Sequence, residues 1–242
     1  MDLNVFISSF MAGSVQTIIG HPFDTVKTRM QIYNKPAKNI IKDILKKEGT
    51  KALYKGSITP LFSGCIQNTI LFSTESYFNN FIKNKFITGF IAGSISSLVM
   101  SPSELIKSHI QNVKYNHIKL NEVKVILDSK KINLFCGLTS TFLRDSFGLG
   151  VYFGSYNYLQ KNDNNPLVNG GIAGVLSWIV SYPFDVVKTK RQITNQSYQY
   201  ILTNIKYKQY VRGLNVVLIR SFVVNAGIFY TYENLIKKKL VY

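Results

Sequence analysis

Three segments of this 242-residue chain repeat one arrangement of proline, acid and base. They read HPFDTVKTRMQ (21–31), SPSELIKSHIQ (101–111) and YPFDVVKTKRQ (182–192) and are called the cassettes below. In each cassette an acid follows the proline by two residues, and a lysine follows the acid by three. Residues three apart on a helix share one face, so the acid and the lysine point toward the same neighbours. This spacing predicts ion pairs between cassettes.

The cassettes predict a cyclic network in which each acid binds a lysine of another cassette. The predicted pairs are Asp24 with Lys107, Glu104 with Lys188, and Asp185 with Lys27. Glutamines nine residues after each proline are predicted to brace these pairs by hydrogen bonds (Gln31, Gln111, Gln192). The prolines are predicted to kink their helices, because proline removes a backbone donor and clashes with the preceding turn (Pro22, Pro102, Pro183). Kinked helices can then converge, so that their charges pair away from lipid.

Long apolar segments must position these cassettes. Residues 57–74, 86–103 and 168–184 carry no charged side chain, and segments of about 17–25 mostly apolar residues can cross a bilayer. The prolines recur every 80 or 81 residues, which is close to two membrane spans plus a loop. The net charge is +17, and the lysines crowd the segments between the spans. This distribution is typical of a membrane protein whose basic loops lie on one side.

The pattern predicts an all-α membrane protein of six transmembrane helices in three repeats with pseudo-threefold symmetry. The repeats are placed at 1–85, 86–165 and 166–242. The helices are placed at about 3–33, 57–82, 86–113, 138–160, 167–194 and 214–238, with a short amphipathic helix in each basic loop. Small residues four apart are expected to let helices approach closely (Ser9 and Gly13, Gly89 and Gly93, Gly170 and Gly174). We see no Arg-rich cleavable presequence, so targeting is expected to be internal.

The whole chain resembles the mitochondrial carrier family, and most closely its carnitine/acylcarnitine and basic amino-acid branch; it is also compatible with a giant-virus member. The family pattern P-x-[DE]-x-x-[KR]-x-[KR] is complete in the first and third cassettes, whereas His109 replaces the last base of the second. The resemblance implies a monomeric exchanger of the mitochondrial inner membrane (the host's, for a viral chain). It works by alternating access, and its cassette network closes the matrix side.

The resemblance also implies bound cardiolipin and no other cofactor. The lipid sites would lie at the glycine turns LYKG, LFCG and YVRG (Gly56, Gly137, Gly213), where amides at helix starts hold phosphate. Cys136 and Val211 depart from the family pattern there. The family's second charged network, at the opposite mouth, is nearly missing. A weak outer gate, closed by packing and tyrosine hydrogen bonds, is therefore expected.

The resemblance places substrate contacts on the even-numbered helices. The candidates are Ser63, Gly64 and Gln67, then Arg144 and Asp145, then Arg220, with His21 as a further polar group. A charge within a membrane helix is costly unless it faces water or a partner. An adjacent cation and anion suit an amino acid or a carnitine-like zwitterion. Gln67 stands where ornithine-type carriers have an acid, which weakens the case for a substrate with a cationic side chain.

The sequence also bears on functions other than the exchange of zwitterions. A nucleotide substrate stays open, because the net charge and the two arginines suit phosphates. A basic nucleic-acid-binding protein would interleave bases with aromatic residues on an exposed face, but here the bases lie between apolar segments, so no nucleic-acid partner is expected. No enzyme motif is present, and the two cysteines show no metal-site spacing. A carrier-like receptor or scaffold is the remaining alternative, and the intact cassettes argue against it.

Overall fold

The computed structural model describes residues 3–57, 81–112, 134–162 and 165–224, together with Gln67, Ile70, Leu71, Ser73, Thr74, Tyr77 and Phe78. All regular secondary structure that these residues form is helical. In chain order the helices are α1 (Leu3–Tyr33), α2 (Ala37–Lys47), a 3₁₀ helix (Thr50–Tyr54), α3 (Lys85–Asn112), α4 (Leu138–Asn162), α5 (Pro166–Thr194), α6 (Tyr198–Asn204) and α7 (Tyr207–Tyr210). Residues 214–224 are also helical and are called α8.

The observed long helices agree with the predicted ones to within two residues at each described end. The lengths of these helices follow from their apolar runs, and capping residues determine some of their ends. Pro166 occupies the first turn of α5, Asn165 accepts a hydrogen bond from the Val168 amide, and Asn195 ends the helix in a left-handed conformation. The seven described residues between 67 and 78 are helical. The other residues of the predicted helix at 57–82, and residues 225–238, lie outside the described part.

The three prolines lie inside the helices that carry the cassettes, α1, α3 and α5. Each of these helices contacts the other two. Two helical segments of the described residues, Lys85–Gln111 and Val168–Thr194, are long and apolar enough to cross a membrane by length and composition. The convergence of α1, α3 and α5 is what brings the cassettes together.

The basic loops differ from one repeat to the next. In the first loop, Ile40 and Ile44 of α2 are buried against Val26 and Met30 of α1, while the lysines of α2 face outward, as expected for an amphipathic helix. The third loop forms two short helices, α6 and α7, instead of the single one predicted, because the backbone at Ile205 is extended and interrupts the helix. The loop at 113–133 lies outside the described residues.

The small-residue pairs have two different roles. In α3, a Cβ added to Gly89 would lie 2.5 Å from the Leu149 carbonyl oxygen, and one added to Gly93 would overlap the backbone of Asp145. These glycines therefore allow α3 to pack directly on α4. In α5 the described residues show no such approach, since a Cβ added to Gly174 would meet no described atom within 4 Å. The surroundings of Ser9 and Gly13 lie outside the described part of the structure.

Candidate functional site

Six charged side chains of the cassettes, one acid and one lysine from each, meet as predicted where α1, α3 and α5 converge. Lys107 Nζ lies 2.8 Å from Asp24 Oδ2, Lys188 Nζ lies 2.6 Å from Glu104 Oε2, and Lys27 Nζ lies 2.6 Å from Asp185 Oδ2. All three predicted pairs are therefore present, and each joins a different pair of helices. We call these six residues the charged ring.

The three pairs of the charged ring differ in their exposure to water. The Lys27 and Asp185 side chains are 11% and 4% exposed, whereas those of Lys107 and Asp24 are 24% and 17% exposed. Two aromatic residues of α5 also enclose the Lys27 ammonium, which lies 5.0 Å from the Trp178 ring centroid and 5.7 Å from that of Tyr182. At such distances a cation is attracted to the ring face. The junction between α1 and α5 is therefore the driest of the three.

The cassette spacing does not predict this aromatic enclosure. The available signal was that Trp178 and Tyr182 are four residues apart just ahead of Pro183, which places them on one face of α5. Tyr182 is 1% exposed, and its hydroxyl donates to the Arg212 carbonyl at 2.6 Å. The same hydroxyl accepts a hydrogen bond from Gln31 Nε2 at 3.3 Å. Tyr182 thus connects the charged ring to the glycine turn before α8.

Only one of the three cassette glutamines braces an ion pair directly, as the sequence predicted for all three. Gln31 Nε2 donates to Asp185 Oδ2 at 2.8 Å and so braces an ion pair as predicted. Gln111 instead accepts from Thr28 Oγ1 at 3.1 Å, and Gln192 accepts from Ser108 Oγ at 3.0 Å. Thr28 and Ser108 directly follow the ring lysines in the chain, so these two glutamines reach the neighbouring helix just beyond the ion pair. Each glutamine nevertheless bridges the same two helices as the pair beside it.

The two predicted substrate arginines reach the charged ring. Arg144 Nη2 lies 2.7 Å from Glu104 Oε1 and 2.5 Å from Asp145 Oδ1, and Arg220 Nε lies 2.6 Å from Asp24 Oδ1. The sequence places both arginines mid-helix but does not predict these contacts. Arg144 and Glu104 lie on two helices of the second repeat, whereas Arg220 and Asp24 join the third repeat to the first.

A cavity of about 700 Å³ opens against the charged ring. Its lining includes Arg144, Asp145, Arg220 and Gln67, which are four of the predicted substrate residues. Gly170 and Gly174 also line it. Among the described residues, a Cβ added to Gly170 would meet only the Tyr152 hydroxyl oxygen, at 3.8 Å, and one added to Gly174 would meet nothing within 4 Å. Among the lining residues that the structure describes, the charged ones are nine: Asp24, Lys27, Glu104, Lys107, Arg144, Asp145, Asp185, Lys188 and Arg220. Five cations and four anions therefore line the cavity.

The remaining substrate candidates have different outcomes. His21 is 1% exposed and is not among the described residues that line the cavity. Its Nε2 instead makes a 2.7 Å hydrogen bond with the Lys55 carbonyl oxygen. Its predicted place in the cavity is therefore wrong, because the imidazole fixes the first glycine turn against α1. Ser63 and Gly64 lie outside the described residues.

The cavity wall away from the charged ring is aromatic. The Tyr152 and Tyr156 rings stack with centroids 6.2 Å apart and an angle of 8° between their planes, and both line the cavity. Nearby, Asn169 Nδ2 donates to Gln160 Oε1 at 3.2 Å and so joins α5 to α4. This contact is neutral, in keeping with the expected weak outer gate. The other residues on which that expectation rests, Glu75, Asn79 and Tyr232 among them, lie outside the described part.

The three glycine turns adopt the same backbone conformation. Gly56, Gly137 and Gly213 have φ of 80°, 88° and 93°, a region that favours glycine. The turn at Gly213 is also crowded, since an added Cβ would lie 2.6 Å from the Tyr182 hydroxyl oxygen. Glycine is therefore required at these turns for conformation, whatever ligand they hold.

The last base of the first cassette belongs to a separate cluster. Arg29 binds both carboxylate oxygens of Glu48, at 2.5 and 3.0 Å, and Lys55 Nζ lies 2.9 Å from Glu48 Oε2. Burial alone would raise the pKa of the Glu48 carboxyl, but hydrogen bonds from Arg29 and Lys55 lower it below its ordinary value. In the third repeat the equivalent Lys190 binds Gln209 at 2.9 Å, a neutral partner.

Comparison with known proteins explains this threefold arrangement. The family model for the mitochondrial carrier protein matches three times, at residues 3–86, 82–167 and 164–241. The chain belongs to the mitochondrial carrier family. Members of this family are six-helix transporters rather than enzymes, so this carrier is a multi-pass protein of the mitochondrial inner membrane.

Several relatives of this carrier have names that refer to basic amino acids. The mitochondrial arginine transporter BAC2 of Arabidopsis thaliana is 33% identical over 94% of this chain and 88% of its own length. The mitochondrial ornithine transporter 1 of Saccharomyces cerevisiae is 30% identical over 95% and 93%. The mitochondrial basic amino acids transporter of Homo sapiens is 30% identical over 93% and 87%.

Proposed function

We propose that this carrier exchanges zwitterionic solutes, amino acids or carnitine-like molecules, across the inner membrane. The charge distribution in the cavity supports this substrate class. Asp24 contacts two cations, Lys107 and Arg220, so this cluster carries one positive charge in excess. The other described charges of the wall balance, with three cations and three anions. A substrate carboxylate would therefore bind near Lys107 and Arg220.

The observation that carries the proposal is the free oxygen of Asp145. Its Oδ1 binds Arg144, whereas its Oδ2 is buried and has no hydrogen-bond partner among the described residues. A buried carboxylate oxygen without a partner is costly. A substrate ammonium can supply the missing donor, while the substrate carboxylate occupies the cationic side of the cavity.

The closed ring favours exchange over net transport. Opening the ring separates three buried ion pairs. A ligand can shift the equilibrium between the closed and the open ring only by binding the open state more tightly. Crossing in each direction therefore needs a bound solute. The carrier would act as a monomer. The charged ring would close the matrix side, and cardiolipin phosphates would bind at Gly56, Gly137 and Gly213.

Transport into proteoliposomes tests the substrate class. We expect exchange of arginine, ornithine or carnitine, and no uptake of agmatine, which is arginine without its carboxylate. Asp145→Asn should lower zwitterion uptake roughly 10- to 100-fold, the range for one hydrogen bond to a charged group. Arg144→Ala and Arg220→Ala should also impair uptake. Asp145→Asn carriers that transport zwitterions normally would contradict the proposal.

Nucleotide exchange is the second candidate, and the aromatic wall favours it. The stacked Tyr152 and Tyr156 rings face a cavity that two glycines leave open, and a nucleobase can stack on such a surface. The excess cation near Asp24 would then hold phosphate. ATP and deoxynucleotides belong in the same uptake panel. A Tyr152→Leu, Tyr156→Leu carrier should lose nucleotide uptake selectively if nucleotides are the substrate, and should keep zwitterion uptake if they are not.

A further inference from the structure

Each glycine turn packs against the cassette helix of another repeat. A Cβ added to the turn glycine would lie 3.1 Å from Ile110 of α3 at Gly56, 2.9 Å from Gln192 of α5 at Gly137, and 3.7 Å from Lys27 of α1 at Gly213. The first repeat thus contacts the second, the second contacts the third, and the third contacts the first. Each contact accompanies one pair of the charged ring, and we call the three places where repeats meet junctions 1–2, 2–3 and 3–1.

Junction 3–1 has a charged contact outside the ring. Arg212, which precedes the turn glycine of the third repeat, donates through Nη1 to the carbonyl oxygen and the side-chain oxygen of Asn34. Asn34 directly follows α1 and has a φ of 56°. A cation at the C-terminal end of a helix also interacts favourably with the partial negative charge there. We call this contact between Arg212 and Asn34 the clasp.

The equivalent contact at junction 2–3 is neutral. Cys136 precedes the turn glycine of the second repeat, and its Sγ donates to Asn195 Oδ1 at 3.5 Å and to the Arg191 carbonyl at 3.7 Å. A thiol is only a weak donor. The hydroxyls of Ser140 and Tyr198, which lie 3.2 Å apart across the same junction, are also neutral.

Junction 1–2 lies between these two cases. The equivalent residue of the first repeat, Lys55, binds Glu48 of its own repeat at 2.9 Å and so gives the second repeat no clasp. Arg29 Nε does donate to the Gln111 carbonyl at 3.2 Å across this junction. Among the described residues, junction 3–1 alone combines a charged contact of this kind with the aromatic enclosure of its ring lysine.

The exposure of the ring groups distinguishes the second repeat in the same way. The two most exposed ring side chains are Lys107 at 24% and Glu104 at 23%, and both lie on α3. The other four are between 4% and 17% exposed. Separating an ion pair costs less where water can replace the lost partner. Both ring pairs that the second repeat makes are therefore easier to separate than the pair of junction 3–1.

The two helices of the second repeat are built to move together. Gly89 and Gly93 place α3 directly against the backbone of α4. The hydroxyls of Ser94 and Ser146 lie 2.9 Å apart between the same two helices. A displacement of α3 therefore carries α4 with it.

We propose that the matrix side opens by movement of the second repeat, while the first and third repeats stay joined at junction 3–1. Opening then breaks the two hydrated ring pairs and the neutral contacts of Cys136, and it leaves the clasp and the Lys27–Asp185 pair in place. Arg212 is a positioning residue in this scheme, because it holds α1 to the third repeat without touching the solute. The inference rests on the proposed role of the charged ring as the matrix-side gate and not on which solute is carried.

Access to the cavity from the matrix side can be measured without any solute. Gly174 lines the cavity, and a Cβ there would meet no described atom within 4 Å. Gly174→Cys, with Cys65 and Cys136 replaced by serine, offers one thiol to a membrane-impermeant maleimide added on the matrix side of proteoliposomes. The labelling rate then reports how often the ring opens, so a failure of the proposed substrate class cannot be mistaken for a failure of this proposal.

Removing one ring lysine at a time shows which pairs break. Lys107→Gln and Lys188→Gln should each accelerate labelling about 10-fold or more, the effect of losing one charged hydrogen bond that opening must break. Lys27→Gln should accelerate it far less, because its pair stays intact when the second repeat moves. The proposal is overturned if Lys27→Gln accelerates labelling as much as the other two variants, or if either of those leaves the rate unchanged.

The clasp itself is tested by a double-mutant cycle. Arg212→Gln removes the charged donor to Asn34, so junction 3–1 can open once Lys27→Gln has also removed its ring pair. The double variant should therefore label faster than the product of the two single effects. Arg212→Lys keeps a cation beside Asn34 and should reduce this excess.

The matched control combines Lys27→Gln with Lys190→Gln, which removes a cation that binds Gln209 within the third repeat. This pair should show only the product of its single effects. If the Arg212 cycle gives no excess over the Lys190 cycle, the clasp does not hold the two repeats together and the proposal fails.

Discussion

The unequal burial of the ring pairs predicts that Asp185→Asn destabilises the carrier more than Asp24→Asn does. Asp185→Asn leaves the Lys27 ammonium with two aromatic rings and little water, since that side chain is only 11% exposed. Removing one partner from a buried pair typically costs about 3–5 kcal/mol. Asp24→Asn leaves two cations, Lys107 and Arg220, which are 24% and 16% exposed and line the cavity, where water can hydrate them. We therefore expect a smaller loss, of about 1–2 kcal/mol.

These losses convert to a measurable difference in melting temperature. For a chain of this size, 1 kcal/mol shifts Tm by roughly 2–4 °C, so Asp185→Asn should lower it by about 6 °C or more. The only tryptophan of the chain is Trp178, which lies against Lys27, so its fluorescence during heating in detergent reports on this junction. Exchanging the charges, with Lys27→Asp and Asp185→Lys together, should restore part of the loss. An Asp24→Asn carrier that melts as low as Asp185→Asn would refute this reasoning.

The remaining predictions concern helix packing and the cluster around Glu48. Gly93→Ala should lower Tm because its methyl group would overlap α4. The methyl group of Gly174→Ala would meet no described atom within 4 Å, so this variant should leave Tm nearly unchanged while narrowing the cavity. Glu48→Gln should destabilise the carrier at pH 7 and not at low pH. The folded-state pKa of Glu48 lies below its ordinary value of 4.5, so its stabilisation is complete above about pH 5 and is lost as the pH falls through the folded pKa. Tm measured from pH 8 down to well below pH 4.5 should therefore show the two proteins converging only below the folded-state pKa of Glu48.

The sequence predicts the charged ring well because its geometry follows from local rules. An acid and a lysine three residues apart must share a helix face, and three copies at equal spacing must meet if the helices converge. The helix ends are similarly local, since Pro166 and Asn195 act through their own backbone positions. The prediction of the ring pairs needed no knowledge of distances across the molecule.

The sequence predicts less well where the contacts of a residue depend on which part of the fold lies opposite it. Gly170 and Gly174 have the same spacing as Gly89 and Gly93, yet one pair faces the cavity and the other faces a helix. The spacing shows that one face of a helix carries small residues, but it does not show what that face contacts. Similarly, the contact of Arg220 with Asp24 depends on the distance between the first and third repeats, which no local pattern contains.

A closure made of charges has a physical advantage over an apolar one. Well-packed apolar side chains often replace a buried ion pair without loss of stability, so stability alone does not require charged residues here. An apolar closure, however, would offer a polar solute no competing partner, and the solute could not favour opening. In the charged ring the exposed members, Lys107 at 24% and Glu104 at 23%, already face the cavity. In the proposed gate, water or an incoming anion would replace their partners one at a time, so that opening would depend on the charge of the solute.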